Sequence, residues 1–352
     1  MNTTGQLKYS KYKKDNISMT FNNFSDKQIA GQRLMVGFEG TELNSDLKYL
    51  IRELKVGGII LFAINLSSPE QIRELCVSAQ KFALSCNQPP LFIAIDQEGG
   101  QVARLKAPFT RFPGNPSMKT TEDAIYFAKI TASELKSVGI NMNMAPVMDV
   151  PLENIQSVMS ERAFGHDPEW VAAMGSTVIQ SLQGNGIMAV AKHFPGIGRT
   201  VLDSHIDTPF LDASITDMDV TDLLPFRAAI STQVAGIMLS HIRYVQLDQN
   251  LPASLSWHIA KVILRDQMGY QGIVMTDDLD MGSIQKYFTI QDAIHHILDA
   301  EVDIALICHK SPDIESAFET IYSSIQHSSN QKNLSFQSLH RISQLKREYS
   351  LS

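Results

Sequence analysis

Three short stretches of this 352-residue chain carry side chains able to move protons or attack carbon. The first, KHFPGIGRTVLDSH at 192–205, holds Lys192, His193, Asp203 and His205, with Pro195, Gly196 and Gly198 turning the chain between them. Asp203 and His205 stand two apart, so in extended backbone their side chains project to one side. A carboxylate there can accept the proton of one ring nitrogen, fix the tautomer and leave the other nitrogen to exchange protons. The glycines let the loop swing. The second stretch, IVMTDDLDM at 273–281, puts Asp277 directly after an apolar run and Thr276, a position suited to a nucleophile. Asp278 and Asp280 read as groups that fix the following turn. The third, IDQEGGQVARL at 95–105, supplies Asp96, Gln97, Glu98 and Arg104. Asp149 in MAPVMDV, Arg162 in SERAFG and His241 in MLSHIRY complete the set. Each piece alone has a plain structural reading, because a carboxylate at the end of a strand often caps the next helix.

The elements that would position these residues repeat along the chain. Apolar stretches at 34–38, 58–62, 91–96, 140–147, 188–193, 235–240, 272–276 and 303–308 are each followed by a segment with helical periodicity. Several run continuously in Val, Ile, Leu, Met and Ala, as strands covered on both faces do. Helices are expected at 68–85, 121–137, 168–183, 217–231, 256–267 and 290–300, and two more from 311 to the end. Eight such repeats favour a single (β/α)8 TIM-type barrel over an open sheet. Reactive residues of such a barrel sit where strands end and βα loops begin, and the polar residues above fall there. One domain is expected over 26–352, after a flexible extension at 1–25; Met19 is an alternative start.

The bulk composition excludes several classes of function. A net charge of -7, with scattered Lys and Arg, argues against a nucleic-acid binder. Cys76, Cys86 and Cys308 are too few and too dispersed for a disulfide framework or a zinc site. The first twenty residues lack the apolar core of a secretory signal, and no apolar run approaches membrane-spanning length. A cytoplasmic monomer acting on a small uncharged ligand is expected, with no membrane partner.

In order along 31–346, IDQEGGQVARL, GINMNMAPVMDV, ERAFG, KHFPGIGRTVLDSH, PASLS and GIVMTDDLDM resemble the family 3 glycoside hydrolases. Within that family they are most similar to the single-domain bacterial β-N-acetylglucosaminidases of cell-wall recycling. The spacing KHFPGxG, four residues, then DSH is a specific signature of that branch. The resemblance implies that Asp277 is the nucleophile of a retaining mechanism and forms a covalent glycosyl-enzyme. It implies that His205, oriented by Asp203, is the general acid/base. Asp96, Arg104, Arg162, Lys192 and His193 are implied to hold the sugar's hydroxyls and N-acetyl arm. No metal and no cofactor are implied. The expected substrate is terminal β-linked N-acetylglucosamine on a peptidoglycan fragment (an anhydromuropeptide), with chitin fragments as an alternative. Ile197 departs from the histidine that family members often carry there.

Three other readings remain distinct. A histidine acid/base does not repel an anionic acceptor, so phosphorolysis is the nearest rival to hydrolysis. A β-glucosidase or β-xylosidase of the same family would lack the DSH loop. A sugar-binding barrel without catalysis would have no need to keep the nucleophile and the dyad together.

Overall fold

A computed structural model of the chain describes residues 24–201, 210–349 and 351. The expected extension at 1–25 lies almost wholly outside the described residues, which take in only Phe24 and Ser25 of it. Ser25 caps the first helix, Asp26–Gln32, in a reciprocal box with Gln28.

All eight expected strands form and close into a parallel barrel. They are β1 (Leu34–Val36), β2 (Gly58–Leu61), β3 (Phe92–Ile95), β4 (Met142–Asn143), β5 (Met188–Phe194), β6 (Gly236–Leu239), β7 (Ile273–Asp278) and β8 (Ile304–Ile307). Each pairs with its chain neighbour, and β8 returns to β1 with Leu34 opposite Ala305. The stretch expected at 140–147 pairs regularly only over Met142–Asn143. Pro146 has no N–H to give to the ladder, and pairing resumes as a single bridge between Val147 and Lys192.

Side chains alternate between two cores, as period-2 strands require. Met35, Ile60, Phe92, Met142, Met144, Met188, Val190, Met238, Met275 and Leu306 fill the barrel. Unbranched methionine suits this space because its flexible chain adapts to irregular gaps. Leu34, Val36, Ile59, Ile93, Ile95, Ile237, Val274 and Ile307 face outward and pack with the helical layer.

The expected helices surround the barrel, with two differences. The segment expected as one helix over 217–231 is two, Ile215–Asp219 and Leu223–Ser231. Pro225 lies in the first turn of the second helix, where its missing N–H is harmless, but its ring excludes a continuous helix from residue 221. The segment expected at 256–267 is helical at His258–Gln267 but wound as a π-helix. No helix among the described residues is long and apolar enough to cross a membrane.

The tail forms the two expected helices, Asp313–His327 and Ser329–Glu348. The last one sets Ile342 and Leu345 against the barrel interior. Beside them the Lys346 ammonium is buried, bonded to Gln32 Oε1 at 2.7 Å and the Gly57 carbonyl at 2.8 Å, 4.7 Å from the Phe92 ring centre. Burial lowers the Lys346 pKa to about 7. An unfolded lysine titrates at about 10.4. Between those values the unfolded chain binds more protons, so folding stability rises with pH across that window. Met at this position loses both hydrogen bonds but also the charge-burial cost, so the stability of Lys346→Met relative to wild type is expected to be higher at pH 6 than at pH 9. Thermal unfolding at both pH values checks this, and a relative stability of the variant that does not fall at the higher pH counts against it.

Candidate active site

The chemistry-bearing residues converge at the end of the barrel where the strands finish. Two of the strands are locally irregular there. On β5, Ala191 and Phe194 oppose Ile237 and Leu239 of β6, so the intervening segment carries one residue more than its partner. On β7, Met275 and Asp278 oppose Ile304 and Leu306 of β8 in the same way. An extra residue of this kind breaks the in-out alternation and re-aims side chains. Lys192 and His193 lie inside the first irregularity, Thr276 and Asp277 inside the second. Regular alternation allows only one of Lys192 and His193 to reach the mouth; in the structure both do.

Lys192 stands at the centre of a buried charge cluster. Its ammonium lies 2.8 Å from Asp96 Oδ1 and 2.7 Å from Glu98 Oε1. Arg162 grips the same Glu98 with two bonds, Nη2 to Oε1 at 2.7 Å and Nε to Oε2 at 3.0 Å. Arg104 reaches Asp96 Oδ2 at 3.4 Å. It does so because the chain after β3 folds back as a small antiparallel hairpin, with Gln97 opposite Ala103. Gly99 and Gly100 turn that hairpin with φ of 87° and 62°, a region that favours glycine.

The charges of this cluster support one another. Burial alone pushes Asp96 and Glu98 toward the neutral acid, but Lys192 and the arginines outweigh it and hold both below the usual carboxylate range. Burial likewise opposes the Lys192 charge, and Asp96 and Glu98 override it and raise its pKa.

His193 is held from the neighbouring strand end. Its Nδ1 lies 2.8 Å from Asp149 Oδ2. Because an ionised carboxylate only accepts, Nδ1 carries the hydrogen and Nε2 is left for another partner. Asp149 Oδ1 takes the Ile197 N–H at 2.8 Å, which ties the chain after β5 to β4. The Ile197 side chain itself is packed in the apolar layer. Gly198 serves close approach rather than freedom: a Cβ there would come 2.0 Å from the Val150 carbonyl oxygen. Arg199 then anchors to Asp222 Oδ2 at 2.8 Å.

Asp277 sits across the mouth. Burial favours its neutral form, but the His193 ring, the Asp278 N–H and Lys192 together hold it below the usual carboxylate range. Its Oδ1 accepts the Asp278 N–H at 2.8 Å. Asp278 and Asp280 fix the turn as expected: Asp278 Oδ1 accepts from Cys308 and Asp280 N–H groups, and Asp280 Oδ2 from His309 N–H. With the His309 ring they form, among the described residues, a group whose ligand atoms lie within 4.8 Å of one another.

Of the sequence-predicted residues, Asp96, Arg104, Arg162, Lys192, His193 and Asp277 are thus gathered at one mouth. Asp203 and His205 lie outside the described residues. Three residues given no role by sequence reasoning prove central: Glu98, which pairs with Lys192 and Arg162; Asp149, which holds His193; and His241. All three stand in the motifs at strand ends, which was the available signal. Their partners lie 64, 44 and 37 residues away and left no local trace.

Known proteins resemble this chain in sequence and fold. The sequence profile described as "Glycosyl hydrolase family 3 N terminal domain" matches residues 26–345. A beta-hexosaminidase of Nitrosomonas eutropha is 36% identical over 299 residues, covering 82% of this chain and 83% of that protein. One from Pseudomonas aeruginosa is 33% identical, covering 82% of this chain and 86% of its own. The solved structure of a glycoside hydrolase family 3 beta-N-acetylglucosaminidase from Paenibacillus sp. superposes with a TM-score of 0.90 at 34% identity. That match covers 93% of this chain but 63% of the longer Paenibacillus chain, so this chain spans less than two thirds of it. With a profile match that runs from the first helix into the last, the chain belongs to glycosyl hydrolase family 3.

Proposed function

We propose that the chain is a retaining exo-β-N-acetylglucosaminidase that releases terminal β-linked N-acetylglucosamine from peptidoglycan fragments such as anhydromuropeptides. The observation that carries this reading is Asp277, half-buried yet held ionised at the barrel mouth, beside the Lys192–Asp96–Arg104 cluster. The names borne by the relatives favour the same sugar.

In this reading Asp96, Arg104 and Lys192 hold the sugar hydroxyls, and His193 presents Nε2 to another. Arg162 acts mainly by keeping Glu98 and Lys192 in place. Asp277 attacks the anomeric carbon as His205, oriented by Asp203, protonates the departing oxygen. Positive charge on the oxocarbenium-like transition state is stabilised by the Asp277 carboxylate. Water, deprotonated by His205, then releases the sugar.

The test is turnover of aryl β-N-acetylglucosaminide beside aryl β-glucoside, with and without phosphate. Preference for the N-acetylated substrate and free sugar as product are expected; sugar 1-phosphate would make the protein a phosphorylase. His205→Ala should hurt substrates with poor leaving groups far more than activated aryl glycosides, since only the former need the acid. Equal loss on both would remove His205 from that role.

A further inference from the structure

His241 follows β6 and has no part in the mechanism above, yet it is 1% exposed and fully bonded. Its Nε2 lies 2.8 Å from the Asp278 carbonyl oxygen and its Nδ1 2.7 Å from Ser254 Oγ. A carbonyl oxygen only accepts, so Nε2 carries the hydrogen. Burial holds the ring below its ordinary pKa, so it is neutral near neutral pH. A neutral ring with its hydrogen on Nε2 must accept at Nδ1, and the Ser254 hydroxyl therefore donates. Ser254 is fixed in turn, its N–H bonded to the Ser240 carbonyl at 2.9 Å.

We propose that His241 and Ser254 form a clamp that positions the attacking carboxylate, an inference that rests on Asp277 being the nucleophile. The clamped residue, Asp278, is held through its carbonyl, one carboxylate oxygen and its N–H. Its carbonyl accepts from His241, its carboxylate accepts from Cys308 N–H, and its own N–H donates to Asp277 Oδ1 at 2.8 Å. Asp277 lies in the irregular part of β7, where the ladder to β8 does not set its direction. The pinned Asp278 does this instead, occupying Oδ1 and leaving Oδ2 to attack. His241 touches no reacting atom and is a positioning residue. Sugar binding is assigned to Asp96, Arg104, Lys192 and His193, and the clamp bonds instead to Asp278 and Ser240. Its loss should therefore lower kcat and spare KM, the pattern of an interaction expressed only in the transition state.

The experiment compares wild type, His241→Ala, His241→Gln and Ser254→Ala. The probe is a fluorinated N-acetylglucosaminyl fluoride whose glycosyl-enzyme accumulates. The saturating rate of covalent labelling is measured per folded molecule, the label is mapped by peptide mass, and kcat and KM are measured on an aryl glycoside. His241→Ala should label about 100-fold more slowly, the loss expected from a misplacement of about 1 Å, with KM within about threefold of wild type. His241→Gln keeps an N–H donor where Nε2 stood and should recover most of the rate. Ser254→Ala should lose several-fold. Wild-type labelling rates in His241→Ala, with the label on Asp277, overturn the clamp and leave the nucleophile assignment standing. A wild-type label on another residue, or none, overturns the assignment itself and the clamp with it. If His241→Ala does not fold, Ser254→Ala decides, and an unchanged labelling rate there overturns the clamp.

Discussion

Asp277→Ala is expected to lower kcat on an aryl β-N-acetylglucosaminide by roughly 10⁴-fold or more, the scale seen when a group acting in concert with others is removed. Among the described residues, the neighbouring carboxylates are already engaged. Asp278 is engaged by Cys308 and Asp280 N–H groups, and Asp96 is committed to Lys192 and Arg104. The fold should survive the change, because among the described residues the Asp277 carboxylate bonds to the adjacent peptide and not across the barrel. Melting temperature and kcat together check the expectation. Activity within about tenfold of wild type would move the nucleophile to another residue. Because its neighbours hold Asp277 below the ordinary carboxylate range, acid should silence this group only below about pH 4.

Lys192→Met is expected to destabilise the protein by about 3–5 kcal/mol, the cost typical of removing one member of a buried ionic cluster. Lys192 is 3% exposed and its ammonium is shared by the buried Glu98 and the half-buried Asp96. Without it, among the described residues, Asp96 retains the long contact to Arg104 and Glu98 retains Arg162. Urea unfolding measures the loss. The double variant Lys192→Met with Asp96→Asn should recover part of it, since the carboxylate left with only the 3.4 Å contact to Arg104 is then neutral. A single variant within about 1 kcal/mol of wild type would show that the cluster is not balanced by Lys192.

The pH dependence of this cluster has a definite sign. Asp96 and Glu98 have lowered pKa values, so their contribution is full above the unfolded carboxylate range of about 4 and is lost as pH falls through their folded values. Lys192 has a raised pKa, so its contribution is full below about 10.4 and is lost as pH rises through its folded value. The stabilisation therefore spans the neutral range, with Lys192→Met losing least at either extreme.

The eight strands were legible in the sequence because a strand buried on both faces must be a short apolar run, and the runs at 58–62 and 235–240 are that and little else. The end of β3 was legible for the same reason, where Ile95 gives way to Asp96, whereas β7 runs past Met275 to Asp278 with Thr276 fully buried. Helix 217–231 was misjudged because its periodicity outweighed the break that Pro225 imposes.

The sequence by itself therefore determined the barrel, the family signature and the set of residues that meet at its mouth. The tertiary structure decided how those described here are used. It put one extra residue into β5 and into β7, bringing both Lys192 and His193 to the mouth and leaving the aim of Asp277 to Asp278. It also paired Lys192 with an aspartate 96 residues away and His241 with a carbonyl 37 residues away. Apolar periodicity is a local property and survives in one dimension. Charge compensation and register shifts are agreements between distant strands, and only closure of the barrel creates them.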